Sequence, residues 1–314
     1  MISLQRYSDV RSLPYQSGVG SMRYSTLIGM CIALGILRGH SPAAQSGDDA
    51  LAALRKALTF HASFDKGPDA DFGAGDRKIY TAASYKSRDD ARSGLASPDV
   101  TIAAGKGRFG DALHFLKKNT QAVYYLAEKN LAYWERDWNG TVSFWLSLTP
   151  DEDLAPGYSD PIQITDTEYN NAAIWVDFTR DDKPRNFRLG IFGDLKVWNP
   201  KNLAPEENPF FNHRTLVVMQ PPFARGNWTH VVITYAALNT QAGGTAKLYL
   251  NGSLQGTVLG IHEPFTWNVS QATIRLGVNY VGLWDDLSVF DHPLTDEEVA
   301  ALYQLKEGVW VLHK

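Results

Sequence analysis

The chain has 314 residues, with 34 acidic against 30 basic side chains and a formal net charge of −4. That length admits one large β-domain or two smaller ones, and the mildly acidic balance argues against nucleic acid and anionic lipid as partners. Nine Trp, 26 Gly and 15 Pro suit many short strands joined by tight turns better than a helical bundle.

The first 44 residues differ from the rest. Arg23 precedes the apolar run Thr26 to Leu37, and Ser41-Pro42-Ala43-Ala44 follows it. A basic start, a short apolar core and small residues beyond it describe a secretory signal, with Met22 a candidate true start. The run is short for a membrane span, which needs about 20 apolar residues, so no span is expected in the mature chain. The sole cysteine, Cys31, lies inside this run, so disulfides, thiol catalysis and Cys-ligated zinc are not expected. Removing residues 1–44 takes the formal charge from −4 to −7. A secreted, periplasmic or cell-surface location is the expectation.

Residues 45–57 form a lead-in with helical spacing, in which Leu51, Leu54 and Leu58 share a stripe. From Leu58 the period becomes two. Leu58, Phe60, Ala62 and Phe64 alternate with Thr59, His61, Ser63 and Asp65, a half-buried strand. Residues 66–98, rich in Gly, Asp, Ser and Arg, read as a long excursion with at most short strands. Further strands are predicted over 112–116, 123–126, 141–148, 161–165, 173–179, 186–192, 216–219, 229–235, 245–250, 274–278 and 283–290. Asn251-Gly252 marks a two-residue hairpin, and the proline-rich segment 200–222 reads as a long loop. The chain then runs through His292-Pro293 into a capped helix, with Thr295 as N-cap, Glu298 as its reciprocal partner, and Leu294 stapled to Val299. Many short alternating strands without helices between them mean an antiparallel sandwich or barrel.

Four segments in order resemble one family: Gly107 to Phe115 (GRFGDALHF), Gly140 to Trp145 (GTVSFW), Asn227 to Val232 with Lys247 to Gly252 (NWTHVV and KLYLNG), and Gly277 to Leu302. The chain is identified from them as a member of the laminin-G-like jellyrolls of the concanavalin A-like lectin/glucanase superfamily, over about 58–305. The longer segments before Gly107 and around Pro200 depart from a minimal domain. The resemblance implies an all-β fold, a two-sheet antiparallel jellyroll with short N-terminal and C-terminal helices. The expected organisation is a signal region over 1–44, the lead-in, one jellyroll domain over 58–306 and a tail over 307–314. Members bind carbohydrate or protein, often as modules of secreted enzymes, and often hold a structural calcium.

Two constellations follow. By strand parity Asp285 shares a face with Leu283, Leu287 and Val289, and a carboxylate among apolar groups needs hydrogen bonds or a cation. With Asp65, which ends the first strand, it forms a candidate calcium site, the alternative being acids that cap backbone N–H groups. Sugar binding needs aromatic faces and planar hydrogen-bonding groups. Trp175 and Asp177 share the non-core parity of their strand, Arg188 that of the next, and Trp198 lies in the following loop; these are the candidate ligand residues. The alternative has the aromatics packed under the 200–222 segment. Trp145 and Trp228 are expected to pack in the sandwich. His61, His230 and His262 show no HExxH spacing and are expected to be solvated or hydrogen-bonded.

No E-x-D-x-x-E strand of a glycosidase occurs; Asp166-Thr167-Glu168 is the nearest approach and sits at a turn. Neither GxSxG nor a phosphate loop is present. The expected function is an exported recognition module, foremost for glycan. A glycan-cleaving enzyme on the same scaffold and an adhesion protein with a cell-surface protein partner are the alternatives.

Overall fold

A computed structural model describes residues 42–86 and 88–313, with side chains from Gly47 onward, Glu206 apart. The signal region expected over 1–44 lies outside these residues, except for Pro42–Ala44, which open helix α1 (Pro42–Ala57). Among the described residues seventeen strands follow. They are β1 (Leu58–Ala62), β2 (Phe72–Gly73), β3 (Ile79–Ala82), β4 (Arg92–Ser93), β5 (Val100–Ala103), β6 (Ala112–Phe115), β7 (Ala122–Leu126) and β8 (Trp138–Ser147). After these come β9 (Ser159–Thr165), β10 (Ala173–Phe178), β11 (Phe187–Phe192), β12 (Thr215–Val218), β13 (Thr229–Leu238), β14 (Gly244–Leu250), β15 (Ser253–Ile261), β16 (Thr273–Val278) and β17 (Gly282–Phe290).

They form two antiparallel sheets. One has nine strands, ordered β15-β14-β13-β8-β17-β1-β2, with β6 also paired to β17 and β5 to β6. The other has eight, ordered β12-β11-β10-β9-β16-β7-β3-β4. The two-residue alternation puts Phe144 and Leu146 of the first sheet, and Ile162, Ile174 and Leu276 of the second, in one apolar core. The first strand pairs with the last, Phe60 opposite Val289 and Ala62 opposite Leu287. Asn251 and Gly252 both take positive φ (50° and 76°), the left-handed pair that a two-residue hairpin turn requires. The C-terminal helix Asp296–Tyr303 carries the full capping box, Thr295 and Glu298 each bonding the other's backbone.

Three expectations need correction. Residues 200–222 are not a bare loop, for they hold a 3-10 turn (Pro205–Glu207), a short helix (Pro209–His213) and edge strand β12. The tail expected over 307–314 is folded as far as the described residues reach, to His313. Gly308–His313 form a 3-10 helix that buries Val309 and Leu312 beside Leu54 of α1 and Leu302. Asp285 does not share a face with Leu287 and Val289. A bulge places Asp286 and Leu287 opposite the single residue Phe144, with Asp286 at φ 52°. A bulge shifts side-chain parity by one. Trp284 therefore points inward, stacked on Phe144 at 4.6 Å, while Asp285 pairs with Trp145 on the outer face.

Candidate functional site

The outer faces of the two sheets are furnished differently. On the eight-stranded sheet, β10 sends Ile174, Val176 and Phe178 into the core and Trp175 and Asp177 outward, as parity predicts. Its hairpin partner β11 sets Arg188 directly opposite Asp177 and Gly190 opposite Trp175. Only glycine fits at 190, because an added Cβ would stand 2.1 Å from the Trp175 ring. On the other side, β9 sets Gln163 beside Trp175, and a bulge between Val176 and Phe178 brings Asp160 toward the same surface.

These side chains open onto a cavity of about 480 Å³. Its floor is Trp175, Asp177, Arg188, Gln163 and Asp160, and its rim carries Tyr158 and Tyr169, each 40% exposed. Phe211, Asn212 and Pro205 wall one side, and Val278 and Asn279 another. Asp177 is held by a bidentate Arg188, at 2.8 and 2.5 Å. Burial pushes the Asp177 carboxyl up while the guanidinium opposes that push. Burial also pushes the Arg188 guanidinium down, but the hydrogen bond and charge of Asp177 outweigh it and hold the group above its ordinary value. The Arg188 guanidinium lies over the Tyr158 ring at 4.8 Å and the Trp175 ring at 5.5 Å, a cation–π bridge between floor and rim. Asp160 accepts from Gln163 Nε2 at 2.8 Å. Its carboxyl is pushed well above the usual range by burial and by the charge of Asp177, against Gln163, Arg188 and Arg275. The cavity thus offers two tyrosine faces, three side-chain amides and the Asp160 carboxyl, groups that match the C–H faces and hydroxyls of a sugar.

Of the predicted ligand residues, Trp175, Asp177 and Arg188 line this cavity. Trp198 does not. Its ring is buried with Phe192 and Phe211, and Nε1 donates to the Asn170 carbonyl at 2.9 Å. Trp175 itself is only 2% exposed and donates to the Tyr169 carbonyl, so it supports the floor rather than offering an open face. The exposed aromatic faces belong to Tyr158 and Tyr169, which the strand pattern overlooked because both stand outside β9, Tyr158 just before it and Tyr169 in the turn after it.

The outer face of the nine-stranded sheet is covered. Asp65 and Asp285 do converge there, on the loop 107–111, but each accepts backbone N–H groups. Asp111 N donates to Asp65 at 2.7 Å, and Phe109 N and Asp286 N donate to Asp285 at 3.0 and 2.8 Å. Gly110, at φ 106°, lies so close that an added Cβ would stand 2.2 Å from Asp65 Oδ1. Burial, and then the charge of Asp286, push the Asp285 carboxyl well above the usual range. Calcium takes six to eight oxygens, and among the described residues no three His, Cys, Asp or Glu side chains gather as a metal site. The pair fits the capping role and does not fit calcium. His61 lies fully buried between Asp286, at 2.7 Å, and His313, at 3.0 Å. Trp145 is buried but not in the core between the sheets as expected; it lies on the outer face, stacked on His230 at 4.6 Å and covered by Phe109 and Tyr303.

A family model described as the concanavalin A-like lectin/glucanases superfamily, of laminin-G type, matches residues 119–300. No curated protein sequence matches the chain. Among solved structures, domain 4 of AbnA, an extracellular arabinanase of Geobacillus stearothermophilus in complex with arabinotriose, is similar at 19% identity and TM-score 0.50, over 79% of this chain and 98% of that one. The botulinum neurotoxin serotype D ligand-binding domain, in complex with N-acetylneuraminic acid, is similar at 14% identity and TM-score 0.50, over 81% of this chain. The present chain spans about half of that domain, 52%. At these identities the likeness is one of fold.

Proposed function

The chain belongs to the concanavalin A-like lectin/glucanase superfamily, and from that premise we propose that it is a non-catalytic recognition module that binds carbohydrate in the cavity over β9, β10 and β11. The observation that carries this reading is the joining of two exposed tyrosine rings to Gln163, Asn279 and the Asp177–Arg188 pair around one cavity. Aromatic rings take the apolar face of a sugar, and planar polar groups fix its hydroxyls. The arabinotriose and N-acetylneuraminic acid held by the two structural neighbours agree with it. A glycan array on the purified protein tests the reading. Binding that Tyr158→Ala weakens supports it, and silence across the array favours the adhesion reading, with a cell-surface protein as partner.

Hydrolysis is the second reading, and the neighbouring carboxyls Asp160 and Asp177 motivate it. A glycosidase needs one carboxylic acid and one free carboxylate. Asp160 suits the first role, but both Asp177 oxygens are engaged by Arg188, which disfavours the second. Release of reducing sugar from a bound glycan would reverse this ranking. Calcium has no part in the reading, because Asp65 Oδ1 and both Asp285 oxygens already accept backbone N–H groups. A chelator is expected to leave the melting temperature unchanged, and a fall of several degrees would restore the metal. Export completes the proposal and rests on the segment from Arg23 to Ala44. N-terminal sequencing of the protein recovered outside the cytoplasm tests it, and a chain retained inside with that segment attached would remove it.

A further inference from the structure

Resting on the carbohydrate reading, we infer that the cavity takes a short neutral glycan, about one or two rings at a chain end or branch, and not the interior of a long or acidic chain. A long chain crossing the strands would follow the register row Tyr80, Tyr124, Arg275, Gln163, Trp175 and Gly190. That row is open only in its middle.

Past Gln163 it is roofed by the excursion that the sequence marks as unusually long. The Tyr85 ring lies 4.7 Å from the Arg275 guanidinium, and its hydroxyl reaches the Val123 and Leu276 carbonyls. Beneath it, Tyr124 and Arg275 are 2% and 4% exposed. Lys86 Nζ then bridges to Glu168 at 2.9 Å, tying this roof to the turn that bears Tyr169. At the opposite end the second unusual segment, Pro205 to His213, packs Phe211 on Phe192 at 4.9 Å and closes the row past Gly190. The two insertions that separate this chain from a minimal domain therefore act together, converting a face into a cavity closed at both ends. The volume left, about 480 Å³, is at the small end for ligand sites.

Charge narrows the class further. Among the described residues lining the cavity the only cation is Arg188, and Asp177 neutralises it with two hydrogen bonds. Arg275, behind the wall, gives its donors to Gln163, Thr273 and the Thr167 carbonyl. Asp160 adds a carboxyl to the floor. Nothing in the lining is left to pair with a uronate, sialate or sulfate, so an anionic sugar would be desolvated without a counter-charge.

Titration calorimetry with linear gluco- and arabino-oligosaccharides of about one to six units, beside oligogalacturonides of the same lengths, tests the inference. Affinity is expected to rise to about the second ring and then to change less than about twofold per added ring, with acidic probes at least about tenfold weaker. Reducing the polymer to shorter chains should raise its binding capacity in proportion to the number of ends. A gain that continues through the fourth and fifth rings, or acidic probes that bind as well as neutral ones, would overturn this inference and leave the carbohydrate reading standing. No binding in any series would remove both.

Discussion

The two outer faces of the sandwich carry the same kinds of residue and put them to different uses. On the nine-stranded sheet Asp285, Asp286, His61, His230 and Trp145 are all buried; the acids and His61 bond the loop 107–111, the C-terminal turn or each other, His230 bonds Ser143, and Trp145 stacks on His230. On the eight-stranded sheet Asp160, Gln163, Asp177 and Arg188 also bond one another, yet their free edges and the Tyr158 and Tyr169 rings meet a cavity. An acid or aromatic on an outward strand position is thus a site only where nothing lies on top of it. The covering of the first face comes from α1, the C-terminal helix and Gly308–His313, all of which bury apolar groups against it.

If the first face is structural and the second functional, substitutions must separate stability from binding. The largest effect belongs to Asp286→Ala. It strips a partner from His61 and from Val309 N, which donates at 3.1 Å. Two polar groups left unmatched in a buried site cost about 4 kcal/mol together. Urea denaturation should show that loss, while glycan affinity of the folded fraction stays unchanged. A loss of affinity at full stability would collapse the distinction between the faces.

Next comes the acid limb of stability. Burial lowers the pKa of His230 to about 3, its Nδ1 having no hydrogen-bond partner. The unfolded chain takes up this proton below about pH 6.5, whereas the folded protein resists it until about pH 3. The contribution is therefore fully present above the unfolded value and is lost as pH falls from 6.5 toward 3. It amounts to roughly 3 kcal/mol between pH 7 and 4. Asp160 and Asp285, whose carboxyls are raised, act in the opposite direction. The measurement is accordingly the difference in pH slope between the parent and His230→Asn. Equal slopes would mean that His230 takes up its proton over the same pH range in the folded and unfolded chains.

On the second face, Tyr158→Ala removes a 40% exposed ring that contacts Arg188. The ring contributes little to the core, so unfolding free energy should change by less than about 0.5 kcal/mol. Glycan affinity should fall by about tenfold, the measure of one lost aromatic contact. Unaltered affinity would move the ligand off this rim.

Much of this contrast was legible in the sequence, and the gaps have physical causes. Period-two alternation is enough to pair Asp177 with Arg188 and to turn Trp175 outward, because the β10–β11 hairpin is regular throughout. The same rule fails at Asp285, since one extra residue with a left-handed backbone at Asp286 leaves no mark on the pattern of apolar and polar residues. Asp160 escaped notice for a related reason, as a bulge separates it from the regular part of β9. Whether Trp175 and Trp198 are open or covered depends on where residues 195–213 fold back, a tertiary matter that strand parity does not address. The histidine pair His61 and His313 joins opposite ends of the domain, 252 residues apart, and nothing local announces it.

The smallest predicted effect makes the sharpest comparison, because it applies one substitution to both faces. Asp285 and Asp160 each have a carboxyl raised by burial and by a neighbouring acid. Such a group contributes stability that is complete below the ordinary carboxylate pKa and is lost as pH rises through the folded value. Replacement by Asn should flatten that slope at either position. The hydrogen bonds differ, however. Asp285 uses both oxygens to accept, from Asp286 N and Phe109 N, and an amide keeps only one accepting oxygen, so Asp285→Asn should lose about 1 kcal/mol in acid, a loss that shrinks as pH rises. Asp160 accepts from Gln163 alone, which the amide oxygen can replace, so Asp160→Asn should be close to neutral in acid and slightly stabilising above it. Urea midpoints for the two variants at three pH values would read this directly. If both variants lost the same stability, Asp160 would be as fully engaged as Asp285, and the cavity floor would have no carboxyl to present to a ligand.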